Sequence, residues 1–185
     1  LRAAGDRLLV RQESYPLSEM LTRPESVEPC AYRLEHHGTW AIDRPSLERG
    51  ITPGTRAVLV VSPNNPTGSM MRAADFDWLT ALCDSRGIAV IADEVFADYR
   101  LWPRPDAVRV GRHRPAPVFS LAGLSKSAGL PQVKLGWIAV SGPGDRVAAA
   151  MERLEVICDT YLSVATPVQV AAARLIESGR AIRAQ

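Results

Sequence analysis

Residues 57–93 read AVLVVSPNNPTGSMMRAADFDWLTALCDSRGIAVIAD, and this stretch decides the fold. The apolar, β-branched run at 57–61 is typical of a strand buried on both faces. From 73 to 86, apolar residues recur at three- and four-residue steps and Gly87 ends the pattern, which indicates an amphipathic helix. Residues 88–92 form a second buried run. The order strand, helix, strand predicts two parallel strands joined by a right-handed crossover.

The sequence on either side of this unit extends the same pattern. Short apolar runs predict further strands and helices, the strands at residues 8–10, 30–34, 118–121 and 137–140 and the helices at residues 148–157 and 167–176. Residues 101–117 are rich in proline and arginine, so we expect a loop there. We therefore predict an α/β fold with a mostly parallel sheet and helices on both faces, and ligands bound where the strands end.

The composition fits one domain and argues against several classes of function. Of 185 residues, 46% are apolar, and the net charge of +2 leaves no positive excess for binding nucleic acid. Three widely spaced cysteines lack the spacing of a metal site and favour a reducing, cytoplasmic setting. No apolar run is long enough to span a membrane. The chain opens at Leu1 and closes within a helical pattern, so we expect it to be part of a longer protein.

Two local clusters invite a binding interpretation that their surroundings do not favour. Arg109, Arg112 and Arg114 are interrupted by prolines and lack interleaved aromatic residues, so a solvated loop is favoured over a phosphate-binding patch. His36 and His37 are adjacent and would face opposite ways in an extended segment, and no third ligand is evident. A polar turn is therefore favoured over a metal site.

Three polar residues fall in an order that suggests pyridoxal phosphate chemistry. Asn65 and Asp93 follow the two buried runs of the opening stretch, and Lys126 lies in a glycine-rich segment after the run at 118–121. A lysine amine can form a Schiff base with the cofactor aldehyde, an aspartate can keep the pyridine nitrogen protonated, and an amide can hydrogen-bond the ring oxygen.

Taken singly, each of these residues also has an ordinary structural interpretation. A strand-end aspartate usually caps a turn or pairs with an arginine, an asparagine beside proline and glycine belongs to a turn, and a loop lysine is usually a solvated charge. The leucines near Lys126 predict partial burial of its side chain. Burial would lower the pKa of the lysine and make its amine a usable nucleophile and base.

Four motifs together resemble those of the fold-type I, pyridoxal phosphate-dependent class I and II aminotransferases. They are SPNNPTG at 62–68, ADEVF at 92–96, LSK at 124–126 and KLGW at 134–137. Each motif is weak alone, but their order and separations suit that family, and the resemblance covers essentially the whole chain. It implies the fold of the large domain of these enzymes.

The resemblance implies roles for the matching residues. Lys126 would form the Schiff base and, once released by substrate, move the proton between the substrate α-carbon and the cofactor. Asp93 would bind the pyridinium nitrogen. Asn65 would bind the ring oxygen and help to hold the substrate carboxylate. Tyr15 matches the aromatic residue that stacks on the cofactor ring.

The positions that match the phosphate contacts are Ser125 and Lys134, and three residues depart from the family pattern. Phe96 stands where many members have a tyrosine that hydrogen-bonds the ring oxygen. Gly123 occupies a position where a phosphate-binding serine is common. Lys134 replaces a frequent arginine and offers a point charge in place of a bidentate fork. We expect phosphate binding to be weaker or rearranged.

The resemblance also implies parts that the chain does not show. Residues 1–163 would be a partial large-domain core and residues 164–185 the start of a helix leading to a small domain. The phosphate-binding loop and the arginine that grips the substrate carboxylate are not visible, so we expect this piece alone to bind the cofactor poorly and turn over little. A homodimer acting on an amino acid and a 2-oxo acid is implied. Two alternatives stay open, a lyase or decarboxylase on the same fold and a pyridoxal phosphate-sensing domain of a transcription regulator.

Overall fold

The computed structural model describes residues 5–12, 22, 24–99, 105–107 and 114–184, and its main element is a six-stranded sheet. The strands of this sheet are β1 (Arg7–Arg11), β2 (Glu28–Tyr32), β5 (Thr55–Val61), β6 (Ala89–Asp93), β7 (Val118–Gly123) and β8 (Gly136–Ser141). A separate two-stranded hairpin consists of β3 (Leu34–His36) and β4 (Trp40–Ile42). The helices of these residues are α1 (Arg44–Gly50), α2 (Ala73–Ser85), α3 (Leu124–Ser127), α4 (Gly144–Thr160) and α5 (Thr166–Arg183), with a 3₁₀ turn at Pro131–Val133.

The strand order of the sheet is β2-β1-β5-β6-β7-β8. The first five strands run parallel, and β8 pairs antiparallel with β7. The predicted α/β fold with a mostly parallel sheet is therefore confirmed. Because β5, β6 and β7 are parallel neighbours, the loops that follow them leave the sheet at the same edge.

Alternate residues of the central strands bury apolar side chains on opposite sides of the sheet. The larger cluster joins one side of the strands to α1 through Leu47 and to α2 through Phe76 and Leu79. A smaller cluster lies on the other side, formed by Leu8, Val10, Val27 and Ala57. Fully burying one such side chain contributes about 1.5–3 kcal/mol, so these two clusters stabilise the sheet whose edge carries the loops after β5, β6 and β7.

The predicted helix at 73–86 is confirmed, and its end follows from one glycine. α2 ends at Ser85, and Gly87 has a φ of 65°, a left-handed conformation that glycine adopts without the penalty of a Cβ. The amide of Ile88 donates to the carbonyl of Cys83 at 2.9 Å and satisfies one of the last carbonyls of the helix. The chain is thereby turned directly into β6.

The structure differs from the predicted elements at 30–34 and beyond. The expected single strand ends at Tyr32, and after Arg33 the chain enters the β3–β4 hairpin. α1 is a helix that the apolar pattern did not reveal, although Asp43 accepts from the amide of Ser46 at 3.0 Å and caps it. α4 and α5 extend beyond the predicted ranges. Within the described residues, no helix combines the length and apolar character needed to cross a membrane.

Candidate active site

The sheet brings three predicted site residues to one edge. In the register of the sheet, Val61 of β5 pairs with Asp93 of β6, and Asp93 pairs with Leu121 of β7. Neighbouring strands lie about 4.8 Å apart. The loops that carry Asn65 and Lys126 therefore emerge on either side of Asp93.

Asp93 is a half-buried carboxylate, and its Oδ1 accepts from the amide of Val95 at 3.1 Å. Burial raises the pKa of Asp93 above its ordinary value, while the Val95 amide and the charge of Lys126 act in the lowering direction. Among the residues that the structure describes, Asp93 forms no ion pair. A cation placed against this carboxylate would relieve its desolvation cost.

Lys126 lies in α3, a single helical turn that follows β7 directly. Its side chain is exposed, so the predicted partial burial is wrong for this chain. The physical reason is the helical geometry, because the turn buries Leu124 and carries Lys126, two residues later, round to another side. The Lys126 Nζ lies 5.5 Å from the centre of the Phe96 ring. Phe96, which stands at the position that matches a tyrosine in the family pattern, thus offers the amine a cation–π contact.

Three further predicted residues are exposed, and their proposed cofactor contacts stay predictions. Asn65 lies in a turn, next to Asn64. The Asn64 side chain is buried and donates to the Thr67 hydroxyl at 2.9 Å. Ser125 is exposed beside Lys126. Lys134 ends the 3₁₀ turn with a φ of 57°, a left-handed conformation that is uncommon for a lysine. Tyr15 lies outside the described residues.

Gly123 has a steric reason for its departure from the family pattern. A Cβ at Gly123 would lie 2.9 Å from the carbonyl oxygen of Leu135 and 3.1 Å from the Cα of Gly136. The same Leu135 carbonyl accepts from the amide of Leu124 at 2.9 Å, which fixes the approach of the two segments. A serine at 123 would therefore require the backbone before β8 to move.

Two aromatic residues at the site were not predicted to contact Lys126. Phe96 faces its amine, and the Tyr99 hydroxyl donates to its backbone carbonyl. Both belong to the turn after Asp93, so this turn holds the lysine at its side chain and at its backbone. The motif at 92–96 marked Phe96 only as a departure. Tyr99 lies outside every motif, and its contact spans 27 residues of sequence.

The chemistry of these groups fits pyridoxal phosphate. An exposed primary amine, a half-buried carboxylate with a raised pKa and an exposed amide meet at one edge of a parallel sheet. An aldehyde matches the amine, and a pyridinium matches the carboxylate. The exposed hydroxyl of Ser125 and ammonium of Lys134 are suitable partners for a phosphate.

Comparisons with known proteins give the same assignment. The alanine aminotransferase of Mycobacterium tuberculosis (strain ATCC 25618 / H37Rv) is 28% identical over 168 residues, which are 89% of this chain and 38% of that protein. The structure of an alanine aminotransferase from Pyrococcus furiosus superposes with a TM-score of 0.83 at 26% identity, covering 100% of this chain and 47% of that one. A PLP-bound putative aminotransferase from Clostridium difficile 630 shares the fold, with a TM-score of 0.77 at 14% identity over 100% of this chain and 48% of that one.

This chain therefore spans less than half the length of these relatives. The family model of aminotransferases of class I and II nevertheless matches residues 1–183, almost the entire sequence. The motifs at the sheet edge, the superposition and this match agree. The chain belongs to the class I and II aminotransferase family.

Proposed function

We propose that the protein is a pyridoxal phosphate-dependent aminotransferase that moves an amino group between an amino acid and a 2-oxo acid. The observation that carries the proposal is the meeting of Asp93, with its raised pKa, and the Lys126 amine at one edge of the sheet. When bound, pyridoxal phosphate supplies an electron sink that stabilises negative charge at the substrate α-carbon. The family membership of the chain supports this chemistry.

Each residue of the site has a distinct role in this proposal. Lys126 would hold the cofactor aldehyde through Nζ and, once released by substrate, the free amine would carry the proton that leaves the substrate α-carbon. Asp93 holds the proton of the ring nitrogen by an ion pair that offsets its own desolvation. Asn65 donates to the ring oxygen and to the substrate carboxylate. The Ser125 hydroxyl and the Lys134 ammonium bind the phosphate, and the proposed role of Tyr15 is to stack on the ring.

An aminotransferase is favoured over the two alternatives because the relatives described above are themselves named as aminotransferases. A lyase, a decarboxylase or a sensory domain would use the same lysine and carboxylate. We further propose residues 1–163 as part of the large domain and residues 164–185 as the start of the connection to a small domain. A cytoplasmic homodimer completes the proposal, and light scattering of the purified protein tests the dimer.

The lysine assignment can be tested cleanly because only two of the 22 basic residues are lysines, Lys126 and Lys134. The protein is mixed with pyridoxal phosphate, reduced with borohydride and mapped by peptide mass spectrometry. We expect the pyridoxyl mass on Lys126 in the wild type and in Lys134→Ala, with lower occupancy in the latter because a phosphate contact is lost. Lys126→Ala should carry no side-chain adduct.

An adduct on Lys134 that survives in Lys126→Ala would overturn the assignment. Amino-group transfer is then measured with alanine as the first donor, since alanine aminotransferases are among the relatives, and a panel of 2-oxo acids as acceptors. We expect slow turnover from this chain, because it covers less than half of those enzymes. Formation of the Lys126 adduct without any amino transfer, even by a longer form of the protein, would favour the lyase or sensory alternatives.

A further inference from the structure

The helix that carries Lys126 is too short to satisfy its own carbonyl groups. α3 has four residues, so its last carbonyls find few partners within the helix. The Lys126 carbonyl accepts from the Tyr99 hydroxyl and from the Gly129 amide, the latter at 3.2 Å. The next carbonyl, that of Ser127, accepts from Arg183 Nη1 at 2.7 Å. Two side chains from distant parts of the chain therefore complete this helix.

Arg183 reaches Ser127 because α5 approaches α3 at a glycine. Gly179 is the buried residue of α5. A Cβ at Gly179 would lie 2.7 Å from the Ser127 carbonyl oxygen, 2.9 Å from the Ala128 Cβ and 2.5 Å from Arg183 Nη1. These distances are shorter than van der Waals contact, so the helices can meet here only without a side chain. The approach places the guanidinium against the end of α3.

The same guanidinium also faces the loop after β6. Arg183 Nε lies 4.0 Å from Asp98 Oδ2, and 22% of the Arg183 side chain is exposed. Asp98 follows Asp93 by five residues in the turn that also carries Phe96 and Tyr99. Arg183 therefore contacts both segments that build the proposed site. A positive charge at the carboxyl end of a helix is also favourable to the helix dipole.

We propose that Arg183 is a positioning residue for Lys126. By holding the Ser127 carbonyl, with Tyr99 on the preceding carbonyl, it fixes the orientation of α3 and so the direction in which the Lys126 amine points. Arg183 itself contacts neither Lys126 Nζ nor Asp93 among the described contacts, so its effect on the amine passes through the backbone. The meaning of this positioning for catalysis rests on the proposed function of Lys126.

The test compares Arg183→Gln and Arg183→Lys with Arg180→Gln. Arg180 lies in the same helix, its side chain is 77% exposed, and it pairs only loosely with Glu177 at 3.6 Å, so it is a matched control. The first measurement is amide hydrogen exchange over residues 124–130. Loss of one charged hydrogen bond should accelerate exchange there by about tenfold in Arg183→Gln. Arg180→Gln should match the wild type, and Arg183→Lys should restore part of the protection.

The second measurement reports the amine itself. A limiting amount of an acylating reagent labels the two lysines of the chain, and the ratio of Lys126 to Lys134 is read by mass spectrometry. We expect the ratio to change by about threefold in Arg183→Gln, because the orientation of α3 and of the Lys126 amine is then partly lost. The ratio should stay unchanged in Arg180→Gln. Faster exchange with an unchanged ratio would overturn the proposal, because Arg183 would then stabilise α3 without directing Lys126.

A third measurement separates this inference from the proposed function. If borohydride reduction shows that wild-type protein binds pyridoxal phosphate on Lys126, the unreduced complex is titrated separately. The pH midpoint of its visible absorbance should move in Arg183→Gln and return toward the wild-type value in Arg183→Lys. An unmoved midpoint would overturn the inference. If the wild type forms no adduct on Lys126, the proposed function fails, and the exchange and labelling results still decide whether Arg183 positions the lysine.

Discussion

Asp93 shows a conflict between stability and chemistry at a single residue. Its raised pKa means that the folded chain pays a desolvation cost whenever this carboxylate is ionised. An asparagine at 93 would remove the charge and still accept from the Val95 amide. Between pH 3.8, the ordinary pKa of the carboxyl, and its raised value, the folded state binds more protons than the unfolded state. The free energy of unfolding therefore falls as the pH rises through that window.

We predict that Asp93→Asn makes the cofactor-free chain more stable at neutral pH than the wild type. The gain should be absent below pH 3.8, appear through the window and stay constant above it. Urea unfolding at a series of pH values measures it, with the exposed Asp159→Asn as the control that shows no such pattern. With cofactor, the same variant should lose amino transfer by about a hundredfold or more. A variant less stable than the wild type at every pH would contradict the prediction.

The residues that could be predicted from the sequence are those that follow strands. Asp93 ends one buried run and Asn65 lies in the loop after another, so the parallel topology places both at one edge. The exposure of Lys126 could not be predicted, because it depends on the helical turn that buries Leu124 and leaves the lysine side chain exposed. Arg183 is 56 residues from its partner Ser127, and no local pattern reports so distant a contact.

Gly123 sets the distance between β7 and the segment that leads into β8. Since a Cβ there would meet the Leu135 carbonyl at 2.9 Å, we predict that Gly123→Ser lowers the free energy of unfolding by about 1–3 kcal/mol. Its φ of 179° is extended backbone, so the cost is steric and not conformational. At Gly144, the first residue of α4, an added Cβ would meet no atom within 4 Å.

The control for this prediction is therefore Gly144→Ala, which should leave stability unchanged or raise it by up to about 1 kcal/mol. Chemical denaturation of both variants gives the comparison. If Gly123→Ser were as stable as the wild type, the backbone before β8 would be free to move, and the serine found in other family members could be accommodated here as well.

Among the elements, those with a continuous or periodic apolar pattern were predictable and those without one were not. β5, β6 and α2 carry continuous or periodic apolar patterns over five to thirteen residues. α1 and α3 have seven and four residues, too few for a helical period to be read, and the strands of the β3–β4 hairpin have only three residues each. For α1 the cap at Asp43 followed by a proline was a readable signal, whereas α3 is completed by tertiary contacts.

At the scale of the whole molecule, the apolar surface is unevenly covered. The strands β1, β5, β6 and β7 each contain buried residues, but α4 has none and β8 is largely exposed. Between them lies a groove of about 730 Å³, whose lining includes Trp137, Ile138 and Met151. A contiguous apolar surface of this kind on a folded chain attracts apolar ligands.

We predict that the native chain binds an environment-sensitive apolar dye in this groove. Met151 is 50% exposed and lines it, so Met151→Lys should weaken dye binding by placing a charge among apolar side chains, with little effect on stability because the lysine can reach water. Val170 is 82% exposed on α5 and does not line the groove. Val170→Lys is therefore the matched control and should bind the dye like the wild type. Fluorescence titrations at a fixed protein concentration measure dye binding in both variants. Equal losses of binding in the two would mean that binding depends on the net charge of the chain and not on this groove.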